Sequence, residues 1–296
     1  MQCEHARIPE ELKNQIISNK KNYHAVDSKF TRDILKTLNL NTVCESALCP
    51  NRGKCFKDRV ATFLILGKDC TRGCSFCAVD RQKPLPPDDN EIENIAKAVC
   101  ELKLKYVILT SPTRDDLKDG GAEHYSKIIM RLNEMNPDLK IEALIPDFAG
   151  SIDSLRTVVK TQGLTVLSHN LETVPSLYSK VRKGADYKRS LNVIENVKYI
   201  SKSVYSKSGI MVGLGENEDE VAALMKDLRA VDCDILTIGQ YIAPSIHHYP
   251  IYEYVPEKQF KKYEEIAYKL GFKAVASSAL VRSSYLAETT FNNMKF

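Results

Sequence analysis

The chain has 296 residues, of which 43% are hydrophobic and 27% charged, and its formal net charge is +4. That length allows one large α/β barrel or two ordinary domains and excludes a small stapled scaffold. The composition is that of an ordered globular protein, and the slight basic excess includes no Lys/Arg run dense enough for a nucleic-acid tract; a charged face toward a protein partner fits equally.

The opening, MQCEHARIPEELKNQ, has no apolar run behind positive charges, and no segment approaches the roughly 20 apolar residues that span a bilayer. The expectation is a cytoplasmic protein with neither membrane nor nucleic acid as partner. Nine cysteines in such a chain favour metal binding or catalysis over disulfides. Six fall between Cys44 and Cys77. Of the others, Cys3 reads as a loose terminal thiol, and Cys100 and Cys233 as buried small hydrophobes in or beside helices.

Residues 1–60 have little strand character. Within them CESALCPNRGKC leaves four and then five residues between Cys44, Cys49 and Cys55. Too irregular for one helix face, this spacing predicts a loop wrapped around a metal, with Pro50 and Gly53 at its turns.

From residue 61 short apolar runs alternate with amphipathic stretches. The strand candidates are ATFLILG (61–67), YVILTS (106–111), KIEALIP (140–146), TVLSHNLE (165–172), SGIMVGLG (208–215) and ILTIGQY (235–241). Helices are predicted at 91–103, 123–135 and 219–231, and KPLPPDDN (83–90) is a Pro-rich surface loop. Strands buried on both faces, each followed by a helix, fit a doubly wound sheet or a barrel. Thr110, Ser111, Asp147, His169, Asn170, Glu172, Gly215, Glu216 and Gln240 stand at the strands' C-terminal ends, and in a barrel such positions converge on one mouth. The expected fold is α/β, a partial (β/α)6 TIM-like barrel over 61–271. An N-terminal extension (1–60) and a C-terminal extension (272–296) then cap its open side or close its bottom.

Directly after the first strand, CTRGCSFC places Cys70, Cys74 and Cys77 in one tight loop. Thiolates are the usual ligands of iron-sulfur clusters, and three of them leave one iron of a cubane open. A zinc site closes with four ligands, often from paired C-x2-C hooks, and this spacing offers no second hook. The pattern C-x3-C-x-aromatic-C, with Phe76 as the aromatic, resembles the signature of the radical S-adenosylmethionine superfamily. That resemblance implies reductive cleavage of S-adenosylmethionine to a 5′-deoxyadenosyl radical that takes hydrogen from an unactivated carbon.

From Asn41 onward the chain also resembles the lipoyl synthase family. The motifs are TVCESALCPNRGKC, ATFLILGKDCTRGCSFCAV, TSPTRDDLKDGGA (110–122), LIPDF (144–148), HNLETV (169–174), KSGIMVGLGE (207–216), TIGQY (237–241) and LVRSSY (280–285). The resemblance implies two 4Fe-4S clusters, one held by Cys70, Cys74 and Cys77 and an auxiliary one held by Cys44, Cys49, Cys55 and Ser284. It implies insertion of two sulfur atoms at C6 and C8 of an octanoyl chain on a carrier lysine, with the auxiliary cluster as donor. Cys70, Cys74, Cys77 and Ser284 are then the catalytic residues, and Phe76, Asn170, Glu172, Gly213 and Gly215 the contacts to S-adenosylmethionine. The implied partners are an octanoylated lipoyl-carrier protein or domain, an electron donor such as ferredoxin or flavodoxin, and an iron-sulfur carrier for cluster repair; the implied state is a monomer. Arg114, Asp115, Asp116 and Asp119 read as a salt-bridged loop shaping the pocket, and His169 as either a site residue or a hydrogen-bonded core residue.

Two features depart from the family: the chain has no Trp and lacks the usual basic, Trp-containing opening, and Pro112 and Thr113 are unexpected before RDDL. A methylthiotransferase needs an extra N-terminal domain and an RNA-binding tail, and biotin-synthase-like chemistry does not fit RSSY. From another class, a noncatalytic iron-sulfur carrier or zinc module is separated by analysing iron and sulfide.

Overall fold

The computed structural model describes residues 7–295, so Cys3 lies outside the described residues. Four helices come first: α1 (Glu10–Asn22), α2 (Val26–Thr37), α3 (Val43–Ser46) and α4 (Arg52–Lys57). Strands and helices then alternate: β1 (Thr62–Leu64), α5 (Asn90–Leu102), β2 (Tyr106–Thr110), α6 (Ala122–Met135), β3 (Lys140–Leu144), α7 (Ile152–Val159) and β4 (Leu164–Ser168). After these come α8 (Tyr178–Val181), α9 (Tyr187–Ile200), β5 (Tyr205–Val212), α10 (Glu218–Ala230), β6 (Ile235–Gln240), α11 (Glu257–Leu270), β7 (Ala274–Ser277) and α12 (Ala287–Asn292).

The strands form one parallel sheet in the order β1 to β7, and its two edges do not pair, which leaves the barrel open. All six expected strands are present. The seventh, β7, continues the ladder from β6 with Ile235 opposite Ala274. Its four residues, AVAS, are too few and too small to stand out as an apolar run in the segment read as a tail.

Local chemistry explains the helix positions. α10 opens with a capping box in which Asn217 accepts from Glu220 N and Glu220 accepts from Asn217 N. Asp186 caps α9 by accepting from Arg189 N, Ser151 caps α7 by accepting from Ser154 N, and α11 stops at Gly271 in the left-handed region. Helices α5, α6 and α7 bury their apolar stripes against the outer faces of β2 and β3, and α10 and α11 against β5 and β6. Cys233 is fully buried, as expected, whereas Cys100 is exposed. The correction has a simple cause: α5 buries Ile95, Ala96, Ala98, Val99 and Leu102, and Cys100 falls just outside that arc.

The C-terminal tail closes the bottom of the barrel. Phe291 packs on Tyr106 and Tyr205, and Met294 on Ile235 and Ala274, which are the first residues of β2, β5, β6 and β7. Above this plug lies an interior ion pair. Lys207 of β5 donates to both oxygens of Glu142 of β3 at 2.8 and 2.9 Å, and the Tyr106 hydroxyl donates to Glu142 at 2.7 Å. Lys207 and Glu142 are 1% and 0% exposed, so the pair is shut off from bulk solvent and depends on its own hydrogen bonds.

In the N-terminal extension, α4 lies across α1 and α2. A methyl group at Gly53 would stand 2.1 Å from the Asn19 carbonyl, so this glycine permits close helix approach. It sits inside α4 rather than at a turn, which corrects the sequence expectation. Cys44 is on α3, Cys55 on α4 and Cys49 between them, so the trio is presented by two short helices and their connection, not by a continuous loop.

Candidate active site

The C-terminal ends of the strands open onto a cavity of about 780 Å³. Cys70, Cys74, Cys77 and Phe76 line it beside Thr110, Ser111, His169, Asn170 and Glu172. From the two extensions Cys44, Cys49 and Ser284 reach the same space.

The loop carrying Cys70, Cys74 and Cys77 is fastened by backbone bonds: Cys70 N to Asp80 O, Thr71 N to Thr113 O and Ser75 N to Val181 O. Arg72, inside the loop, forks onto Asp115 at 2.8 Å and also pairs with Asp147 at 2.8 Å. Arg189 grips Asp147 from α9 at 2.7 Å. Burial pushes the Asp147 carboxyl upward, but the bond and charge of Arg72, helped by His169 and Arg189, outweigh it and hold the group well below the carboxylate range. Asp147 is therefore a tie for the cysteine loop and does not line the cavity. Arg114, almost fully buried, donates to Asp116, Leu66 O and Leu85 O, while Asp119 accepts from Gly121 N and Glu123 N. These residues form the salt-bridged loop expected from RDDL.

Glu172 adopts a left-handed backbone (φ 68°), fixed by its N–H donating to Gly209 O and its carbonyl accepting from Met211 N. Burial raises its carboxyl pKa, opposed by the charge of Arg182 and the Asn170 bond. Asn170 donates to Glu172 at 3.0 Å and accepts from the Ser283 hydroxyl at 2.9 Å, joining the C-terminal tail to the cavity wall. His169 is a core residue at the cavity edge: Nδ1 donates to Ile145 O, Nε2 accepts from Ser190 Oγ, and burial lowers its pKa to about 4. Phe76 packs with Val181, Leu214, Tyr241 and Ile251. Gly213 and Gly215 do not line the cavity. The turn that carries them folds onto residues 249–255, with Gly213 against Gln240 and Glu253 and Gly215 against the Tyr252 ring. Gly213 N is already bonded to the Glu216 carboxylate.

Behind the large cavity lies a small one lined by Cys44, Cys49, Cys55, Arg282 and Ser284. Ser284 is thus brought to the N-terminal cysteine trio. Two long-range features hold it there. Asn51, fully buried between Cys49 and Cys55, donates to Leu280 O at 2.6 Å. Gly209 and Gly239 then let the tail lie on the inner barrel wall: a methyl at Gly239 would stand 2.1 Å from Val281 O, and one at Gly209 would stand 2.6 Å from Ser283 Oγ. Sequence reasoning missed Asn51, Gly209, Gly239, Ser283, Arg72, Arg182 and Arg282. The only local signal was a glycine within each of two apolar strands.

The donor set suits iron-sulfur clusters. Burial, with Cys49 alongside, pushes the Cys44 thiol up to about 12, burial pushes Cys77 up to about 12, and burial raises Cys55 and Cys74. Such thiols stay protonated until a metal replaces the proton. Zinc gathers four ligands around one ion, at about 2.3 Å for thiolates. A cubane instead takes one ligand per iron, and each trio supplies three thiols to one cavity wall.

The radical SAM superfamily model matches residues 64–228. The chain is 52% identical over 282 residues to lipoyl synthase of Caldanaerobacter subterraneus subsp. tengcongensis, covering 95% of this chain and 96% of that protein. It is 53% identical over 257 residues to lipoyl synthase of Caldicellulosiruptor saccharolyticus, covering 87% and 90%. Among solved structures, methylornithine synthase superposes with TM-score 0.57 at 16% identity over 87% of this chain and 77% of that one. The FeFe-hydrogenase maturase HydG from Carboxydothermus hydrogenoformans gives 0.61 at 14% identity over 95% and 74%. At such identities these likenesses establish the open barrel alone. With half its residues shared with curated relatives along almost its whole length, this chain belongs to the lipoyl synthase family of the radical SAM superfamily.

Proposed function

We propose that this chain inserts two sulfur atoms, at C6 and C8, into an octanoyl group on a lysine of a lipoyl-carrier protein. It uses S-adenosylmethionine and two 4Fe-4S clusters. The observation that carries this reading is the convergence of two cysteine trios and Ser284 on adjoining cavities. Cys70, Cys74 and Cys77 hold the cluster that binds S-adenosylmethionine, and Cys44, Cys49, Cys55 and Ser284 hold the auxiliary cluster, which is the sulfur donor. When bound, the first cluster and S-adenosylmethionine supply one-electron chemistry that removes hydrogen from an unactivated carbon, for which acid-base catalysis has no handle.

The chain's own residues do the binding and shielding. Phe76, Asn170 and Glu172 line the wall next to Cys70, Cys74 and Cys77 and contact S-adenosylmethionine. Arg182, also on that wall, balances the Glu172 carboxylate. Leu64, Leu144, Ile145, Ile210 and Met211 give the octanoyl chain an apolar surface that excludes water. Lys20, His24 and Arg52 rim the opening and suit an acidic carrier surface. A ferredoxin or flavodoxin supplies electrons, an iron-sulfur carrier rebuilds the donor cluster, and the enzyme acts as a cytoplasmic monomer. Among the described residues no helix is long and apolar enough to cross a membrane.

The test is anaerobic incubation of the reconstituted enzyme with an octanoylated carrier peptide, reductant and S-adenosylmethionine, followed by mass analysis. Two added sulfurs are expected, from protein carrying about eight irons per chain; zinc without sulfide would sink the reading. Cys49→Ala is expected to retain some S-adenosylmethionine cleavage and yield no sulfur product, whereas lipoyl product from this variant would refute the donor assignment. Ser284→Ala is expected to impair sulfur insertion more than cleavage, and equal loss of both would mark a structural role. Gly239→Ala is expected to displace the Val281 carbonyl, lower bound iron from about eight toward about four per chain, and preserve cleavage in part. Iron assay together with 5′-deoxyadenosine quantification checks it.

A further inference from the structure

The two cavities share four wall residues: Cys44, Cys49, Ser284 and Arg282. Three are ligands assigned to the auxiliary cluster; Arg282 is not. Its Nη1 donates to Val281 O at 2.6 Å and to Ala279 O at 3.4 Å, both uncharged acceptors. Cys49 stands with it at the shared wall, and Glu172 lines the large cavity. Among the described residues it makes no ion pair with a carboxylate, unlike Arg72 and Arg114 nearby. Gly239 makes room for it, since a methyl group there would stand 3.1 Å from Nη1. A half-buried guanidinium without a carboxylate partner costs free energy. A cluster ligated by three thiolates and a serine oxygen brings negative charge to the small cavity.

We propose that Arg282 is the counter-cation of the auxiliary cluster and a positioning residue at the wall between the cluster and the substrate cavity. This rests on the cluster assignment of the preceding subsection. Its planar fork is held at one end by the Val281 and Ala279 carbonyls, so the positive charge is fixed where both cavities meet. The charge favours the more negative, reduced form of the cluster and steadies the face bearing Ser284. Arg282→Gln removes the charge; Arg282→Lys keeps it on a point group without the fork.

The experiment uses full-length chain in which Cys70, Cys74 and Cys77 are replaced by alanine, so that the auxiliary cluster alone is reconstituted and titrated by electron paramagnetic resonance. Arg282→Gln is expected to lower the midpoint potential, with Arg282→Lys close to the unaltered protein. Cluster loading is expected to raise the melting temperature of the Gln variant less than that of the parent, while the two metal-free proteins melt alike. In the enzyme with both clusters, the ratio of sulfur product to 5′-deoxyadenosine is expected to fall at least about tenfold with Gln and less with Lys. An unchanged potential with Gln, or equal loss of auxiliary iron in Gln and Lys variants, would overturn the proposal. Failure of the parent to bind any auxiliary cluster would instead overturn the cluster assignment itself.

Discussion

Cys74→Ala is expected to abolish 5′-deoxyadenosine formation while leaving the fold intact. Cys74 is one of three thiols lining the large cavity, and under the proposed assignment its removal leaves two protein ligands where a cubane with one open iron needs three. The loop keeps its other fastenings, namely Ser75 N to Val181 O, Cys70 N to Asp80 O and the Arg72 fork onto Asp115. The loss is therefore chemical rather than structural. Chromatographic quantification of 5′-deoxyadenosine, beside a melting curve, checks it. Product within about tenfold of the parent rate would show that Cys74 is not a ligand.

Lys207→Met is expected to be the most destabilising of these substitutions. It leaves Glu142 fully buried without its lysine, with the Tyr106 hydroxyl as its remaining side-chain partner among the described residues. Breaking a buried pair in this way costs about 3–5 kcal/mol. For a chain of this length that lowers Tm by roughly 6–10 °C, at about 2 °C per kcal/mol. The double variant Glu142→Leu/Lys207→Met removes both charges and is expected to recover most of the loss, because an apolar pair of similar volume has no desolvation to offset. Calorimetry of the single and double variants decides it. If Lys207→Met melted with the parent, the pair would not bridge β3 and β5 in the barrel interior.

The sequence was most legible where one short stretch carries the whole signal. Alternating apolar runs marked six strands, and the capping residues at Asn217 and Asp186 start their helices as local hydrogen-bonding chemistry requires. CTRGCSFC also carried its meaning locally, since the spacing of Cys70, Cys74 and Cys77 already leaves one ligand too few for a closed site. The expectation failed where a residue's role depends on what lies opposite. Gly53 looked like a turn residue and is a contact point for α1. Cys100 looked buried and faces solvent, because helix membership does not say which face is covered. That the turn of Gly213 and Gly215 folds onto residues 249–255 was likewise invisible in the sequence.

By itself, then, the sequence determined the alternating α/β order, the radical-type cysteine loop and, through motif resemblance, the family and its chemistry. Only the tertiary structure decided how Ser284 meets Cys44, Cys49 and Cys55. That meeting depends on the Asn51 bond to Leu280 O, which spans 229 positions, on the glycines that let the tail lie against the barrel wall, and on the seventh strand that carries the chain back to the mouth. Periodicity and ligand spacing are properties of neighbouring residues and survive in one dimension. A shared cavity wall is a property of chain closure and arises only when the barrel brings its two ends together.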